Sequence, residues 1–338
     1  MLDELKNTLS LFFLIPLVAI VGIFFTFRFR FMQCTQILKA WKFFVNDRDH
    51  SGARSSSFSA VSAVLGGNLG TGNISGIAVA LTMGGPGAIF WMWVMATIGS
   101  ILKFVGTTLG ILYRQKNDQG EYVGGPMYYL AKGLGLKRSA KIYCLLAICT
   151  ALTVGNLVQM NSLALPFTQA GIPPLATGCL MSILIALVIL GGLRRFSAIV
   201  SLVVPFMAVF YILACIFILF THIDKVFPAL QLIVHAAFDQ SALTGGIVGF
   251  AIIEAVRVGF DRGLFATDVG VGIDSIIHSS VESKTPLTQT ALTQGLISTL
   301  SPLIVMLVCT LTGLVLLASK VLLWVQFQFC FIPNMCHN

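Results

Sequence analysis

An apolar run from Phe58 to Leu81 is interrupted in its middle by residues that do not support a helix. The segment from Gly66 to Ile74 reads G-G-N-L-G-T-G-N-I, whereas the residues around it are mostly Ala, Val, Leu and Ile. A helix that crosses a bilayer needs about 20 apolar residues, and the run is long enough. Glycine and asparagine disfavour a helix interior. The sequence therefore predicts a membrane span that is broken in two at Gly70 to Asn73.

A break inside the hydrocarbon leaves backbone N–H and C=O groups without partners, which costs several kcal/mol per group unless protein, water or a ligand supplies them. We expect the amides that begin the second half-helix, near Asn73 and Ile74, to suit a carboxylate. The carbonyls of the first half-helix, with Thr71 Oγ and the amide oxygens of Asn68 and Asn73, suit sodium. The alternative is that the glycines only allow close helix packing, which does not require polar residues between them.

The composition excludes a soluble domain, because the 338 residues are 57% hydrophobic and only 10% charged. The net charge of +8 does not indicate nucleic-acid binding, because the Lys and Arg residues gather in alternate loops. Positive loops face the cytoplasm, so we expect a multi-pass protein of the cell membrane with its N-terminus outside. The eight cysteines form no C-x-x-C pair and the five histidines no H-E-x-x-H motif, so neither a metal centre nor an enzyme is predicted.

Hydropathy predicts eight spans, of which the second and the seventh contain clustered glycines. The predicted spans are Leu9–Phe27, Phe58–Leu81, Ala88–Tyr113, Ile142–Phe167, Leu175–Leu193, Ala198–Phe220, Leu243–Gly259 and Leu292–Leu317. The two glycine-interrupted spans run in opposite directions with four helices between them, a pattern typical of inverted-repeat transporters. The predicted organisation is an extra helix and basic loop (1–54), a five-helix repeat (55–221), an incomplete second repeat (222–318) and an atypical tail (319–338).

Six motifs in order resemble the alanine or glycine:cation symporter family, the sodium:alanine symporters. They are Gly70–Ile74, Gly84–Val94, Gly124–Tyr129, Gly155–Gln159, Leu190–Gly192 and Arg262–Phe265. The resemblance implies an all-α polytopic membrane protein with a LeuT-type inverted-repeat fold and an extra N-terminal helix. It also implies sodium-driven uptake of alanine or glycine, with no cofactor besides the co-transported ion. The alternative is a shortened transporter without activity, because a later helix that completes a sodium site in this fold is expected to be missing.

Carried over by position, the resemblance places the two broken core helices at Gly70–Ile74 and Gly245–Gly249 and a polar helix at Asn156 and Gln159. The predicted substrate-binding residues are Gly70, Thr71, Gly72, Asn73, Asn156, Gln159, Gly246 and Gly249, and the predicted sodium ligands are Asn68 and Thr71. Asn156 and Gln159 lie three residues apart, so they share a helix face and either line the site or pair helices. Where the family usually has Ser-Asn-Glu-Ala-Gly, this chain has Ala266–Gly270, which shortens the carboxylate to Asp268.

Two charged features inside predicted spans need partners, because lone charges are costly in a bilayer. Glu254 and Arg257 lie three residues apart, so we expect them to pair with each other. A role in holding a cation or substrate is the alternative. Lys103 follows Ser100 in an S-x-x-K pattern. It lacks a further orienting group for catalysis, so a helix-pairing or snorkelling lysine is expected.

Overall fold

The computed structural model describes residues 8–46, 56–238, 247–283 and 285–319, and almost all of its regular structure is helical. Helices satisfy their own backbone groups, which a segment inside a bilayer requires. The helices are α1 (Ser10–Arg28), α2 (Met32–Thr35), α3 (Ile37–Asn46), α4 (Ser57–Asn68), α5 (Ser75–Gly84), α6 (Gly87–Leu112), α7 (Pro126–Tyr128), α8 (Lys137–Thr150), α9 (Leu157–Gln169), α10 (Pro174–Ile189), α11 (Gly192–Thr221), α12 (Ile223–Phe238), α13 (Ile247–Thr267), α14 (Ile273–Ser279), α15 (Leu287–Ser298) and α16 (Leu300–Ala318). Two short strands, Gln115–Lys116 and Tyr122–Val123, pair antiparallel.

Four helical segments of the described chain are long and apolar enough to cross a bilayer. They are Ser10–Arg28, Gly87–Leu112, Ala198–Thr221 and Leu287–Ala318. The helices Ser75–Gly84 and Pro174–Ile189 are also apolar but shorter. The prediction of an all-α multi-pass membrane protein is thus confirmed, whereas the LeuT-type arrangement of the helices stays a prediction.

Helix α6 lies at the centre of the helix bundle. It packs against α1, α12, α13, α14, α15 and α16, and the side chains of Ile89, Met95 and Ile101 are completely buried. Small residues allow the neighbours to approach closely, as is common between membrane helices. At Gly110, for example, an added Cβ would lie only 2.0 Å from Ser275 Oγ of α14. The apolar core of the bundle is therefore organised around one long helix.

The predicted break in the second span is present. Helix α4 ends at Asn68, a 3₁₀ turn covers Thr71–Asn73, and α5 begins at Ser75. The two halves are too short to cross a bilayer separately, and together they cover the predicted span. Because glycine and asparagine tolerate non-helical backbone, the sequence locates this break correctly.

The second predicted break is described only in part. The sequence places it at Gly245–Gly249, but α13 runs without a break from Ile247 past Gly249 to Thr267, and Gly245 and Gly246 lie outside the described residues. A second interruption follows α13, where Asp268 adopts a left-handed φ of 50°. Gly270 and Gly272 follow, each with a φ of 87°, before α14. A helix tolerates isolated glycines at a cost of about 1 kcal/mol, whereas left-handed residues end it.

The connection between the sixth and seventh predicted spans is a helix rather than a loop. Helix α12 buries Ala229, Ile233 and Ala237, which are spaced four residues apart and therefore share one face. This face packs on α6, where the rings of Phe90 and Phe238 lie 4.8 Å apart. Charged residues at the beginning of this segment are typical of a loop, whereas the spacing of its apolar residues is that of a helix.

Candidate functional site

The two interruptions touch each other. Asn68 Nδ2, at the end of α4, donates a hydrogen bond to the carbonyl of Thr267, at the end of α13, over 3.3 Å. A Cβ added to Gly72 would lie 2.9 Å from Phe265 Cε1, so the 3₁₀ turn also packs directly on α13. The broken region of the first helix is thus supported by the end of the other interrupted helix.

Asn73 holds the first break together. Its side-chain Nδ2 donates to the carbonyl of Asn68 over 2.7 Å, and its Oδ1 accepts from the Cys309 thiol of α16 over 3.4 Å. The residue is only 1% exposed, so these partners replace water. The Asn73 amide, predicted to face substrate and sodium, therefore satisfies a carbonyl freed by the break.

A cavity of about 350 Å³ opens beside the break. It lies between the break, α9, α11 and α16, and no described residue that lines it is charged. The lining residues are Leu69, Gly70, Asn73, Ile74, Gln159, Met160, Leu163, Met207, Ala208, Tyr211 and Val308. Three of the predicted site residues, Gly70, Asn73 and Gln159, are thereby brought to one cavity.

Gly70 and Gln159 are in direct contact across this cavity wall. A Cβ on Gly70 would lie 2.3 Å from Gln159 Nε2 and 2.8 Å from Oε1. Only glycine allows this approach between the break and the amide. Because an amide carries both a donor and an acceptor, Gln159 is able to bind either end of a zwitterion.

Asn156, by contrast, is not among the described residues that line the cavity. Asn156 is exposed, and its Nδ2 donates to the Ala151 carbonyl over 3.1 Å. It follows a π-helical turn, Ala151–Gly155, and stands at the start of α9. Gly249 lies within α13, and its surroundings are outside what the structure describes. Gly246 and the side chain of Thr71 lie outside the described part of the chain.

Helix α11 contributes a cavity wall that sequence reasoning missed. Met207, Ala208 and Tyr211 line the cavity, and Tyr211 Oη lies 2.8 Å from Thr312 Oγ1 of α16. The spacing of three and four residues is the available signal, since it places these side chains on one helix face. That signal does not separate a cavity wall from ordinary helix packing.

A buried ion pair supports the second interruption. Lys103 Nζ of α6 lies 2.7 Å from Asp274 Oδ2 of α14, with side chains 3% and 5% exposed. Ser301 Oγ of α16 donates to the same oxygen over 3.1 Å and accepts from Lys103 over 3.2 Å. Lys103 is thus a helix-pairing lysine, one of the two predicted roles, and it does not snorkel. Its partner Asp274 was not predicted.

Two further polar contacts fix the surrounding helices. His278 of α14 shares a hydrogen bond of 2.9 Å with Gln294 of α15, which in turn donates to Ser57 at the start of α4.

The predicted pair of Glu254 and Arg257 is confirmed, with Arg257 Nε donating to Glu254 Oε2 over 2.8 Å. Both charges are therefore engaged with each other in α13.

Comparison with known proteins places this architecture in a family. The family model described as the sodium:alanine symporter family matches residues 1–327. The sodium/alanine symporter AgcS of Methanococcus maripaludis is 39% identical over 326 residues, covering 93% of this chain and 70% of that protein. An uncharacterized transporter of Haemophilus influenzae is 36% identical over 310 residues, covering 90% of this chain and 67% of that protein.

The names of the relatives indicate different substrates, as a third relative shows. The probable sodium/glutamine symporter GlnT of Bacillus subtilis is 35% identical over 312 residues, covering 90% of this chain and 63% of that protein. The chain thus spans roughly two thirds of the length of these relatives. Both the family match and the identities extend over most of the chain, so it belongs to the sodium:alanine symporter family.

Proposed function

We propose that this chain is a sodium-coupled symporter that carries alanine or glycine across the cell membrane. The observation that carries the proposal is the broken helix at Gly70–Ile74, whose backbone, together with Gln159, faces a cavity of about 350 Å³. A relative named as a sodium/alanine symporter supports the ion and the substrate class. The relatives reported above bear the names of transporters, which agrees with transport rather than catalysis.

The substrate crosses as a zwitterion, so the site must replace water around a carboxylate and an ammonium together. The first amides of α5 follow Ile74, which lines the cavity and makes no side-chain hydrogen bond to them. Those amides and the positive end of the helix dipole suit the carboxylate. Gln159 Oε1 and the carbonyls freed at the end of α4 suit the ammonium.

Sodium binds close to the same break in this proposal. Asn68 Oδ1 and the carbonyls of residues 67–71 are the hard oxygen ligands that a small cation prefers. The positive charge of the bound sodium would stabilise the substrate carboxylate, so each ligand binds more tightly when the other is present. This mutual stabilisation is the physical basis of coupled transport.

Uptake by reconstituted vesicles tests the proposal. With purified full-length chain and a sodium gradient, labelled alanine or glycine is expected to accumulate, and replacing sodium with potassium should reduce uptake at least about tenfold. Gln159→Ala should reduce uptake to a similar extent. Asn156→Ala is the matched control, because its amide contacts only its own helix turn and is exposed. Uptake that ignores sodium, or a Gln159→Ala variant that transports normally, contradicts the proposal.

A further inference from the structure

The cavity is larger than alanine or glycine requires. Liquid water would fill about 350 Å³ with roughly 12 molecules, at about 30 Å³ each. Alanine has only six non-hydrogen atoms, and glycine has five. A bound alanine at Gly70 and Gln159 would therefore leave about half of the cavity unfilled.

The part of the cavity away from the break is apolar. Its wall is formed by Met160, Leu163, Met207, Ala208 and Val308, and none of the described lining residues carries a charge. A charged substrate side chain would be desolvated there without a partner, whereas an apolar one would be stabilised by burial. Methionine side chains also adapt to ligands of different shape.

Tyr211 forms part of the wall of this apolar part. It lines the cavity from α11, and its hydroxyl lies 2.8 Å from Thr312 Oγ1 of α16. This hydrogen bond links the two helices that border the cavity, so a polar contact as well as packing positions the wall.

We propose that the site binds neutral amino acids with larger apolar side chains, of the size of leucine or methionine, in addition to small ones. The backbone of the substrate lies at Gly70 and Gln159, and its side chain fills the space between α9 and α11. This inference rests on the proposed function, since it assigns the broken helix to the amino-acid backbone.

Equilibrium binding to the purified full-length chain in sodium tests the inference. Labelled leucine and methionine are expected to bind at least as tightly as alanine, whereas aspartate and lysine should not compete. In vesicles, leucine should inhibit sodium-dependent alanine uptake. Alanine binding without leucine or methionine binding overturns the inference and leaves the proposed function intact. Leucine binding without sodium-dependent uptake of any amino acid supports the inference and contradicts the proposed symport.

A pair of variants locates the side-chain pocket. Ala208→Leu adds bulk inside the cavity, so it should weaken leucine binding about tenfold more than alanine binding. The matched control is Val209→Leu, since Val209 is the next residue of α11, is 55% exposed and does not line the cavity. It should leave the ratio of the two affinities unchanged. If both variants change the ratio equally, or neither changes it, leucine does not occupy this cavity.

Discussion

Gly70 is the residue where the absence of a side chain matters most for binding. An added Cβ would collide with both polar atoms of the Gln159 amide, which is the flexible end of a side chain and is able to move away. A side chain at position 70 would therefore displace the Gln159 amide, which is proposed to bind the substrate. It would change the packing of the surrounding helices little. A substitution at Gly70 therefore allows an effect on substrate binding to be measured separately from an effect on folding.

We predict that Gly70→Ala lowers alanine affinity at least about tenfold, equivalent to about 1.4 kcal/mol, with little change in thermal stability. The measurements are equilibrium binding and unfolding in detergent. Gly67→Ala is the control, because a Cβ there meets nothing within 4 Å and alanine favours a helix more than glycine does. Equal losses of binding in both variants would show that glycine is needed for the helix and not for the site.

The sequence identifies the residues of the break better than it identifies their roles. Glycine and asparagine are recognisable as poor helix formers, so the position of the break at Gly70–Asn73 could be predicted. The partner of an amide depends on distant chain segments, and Asn73 is bonded to Asn68 and Cys309. Asn156 shows the same limit, because its amide donates to the Ala151 carbonyl, five residues earlier in the chain.

At the scale of elements, the short helix α14 is held by charge as well as by packing. Asp274 pairs with Lys103 of α6, and Ser301 of α16 bonds to both. Because the ions are almost completely buried, removing one of them leaves the other without a counter-ion in a medium of low dielectric constant. The ion pair thus fixes the position of the segment that follows the second interruption.

We predict that Lys103→Met destabilises the protein by about 3–5 kcal/mol, because it leaves Asp274 charged and unpaired. The double variant Lys103→Met/Asp274→Asn should recover at least half of the loss, as measured by reversible unfolding in detergent. Lys141→Met is the comparison, since Lys141 is exposed in α8 and its replacement should cost about 0.5 kcal/mol or less. No recovery in the double variant would show that Lys103 acts through packing alone.

The position of the second interruption illustrates what a single sequence does not resolve. Clustered glycines at Gly245–Gly249 and the pair Gly270 and Gly272 are similar signals, and both are flanked by apolar residues. Near the second pair, left-handed backbone at Asp268 ends α13, and Thr267 presents its carbonyl to Asn68. This hydrogen bond joins residues that are 199 positions apart in the chain, so the sequence alone does not predict how the interruption is supported.

At the scale of the whole molecule, the distribution of charge predicts the orientation in the membrane. The hairpin that contains Lys116 precedes α8, and the turn at Gly171–Pro173 follows α9. The segment from α8 to α9 corresponds to one predicted span, so its two ends should lie on opposite sides of the bilayer. Positive residues favour the cytoplasmic side, so the hairpin is expected inside and the turn outside.

We predict that Ile172→Cys reacts with a membrane-impermeant maleimide in intact cells, whereas Gln119→Cys reacts only after permeabilisation. Both positions are exposed in the protein, so the difference reports the side of the membrane. The background keeps only the buried Cys215 and Cys309, because Cys309 bonds to Asn73 and neither thiol is accessible. The reverse labelling pattern would place the N-terminus inside and invert the proposed direction of both broken helices. Labelling of both cysteines in intact cells would show instead that α8 and α9 do not cross the bilayer.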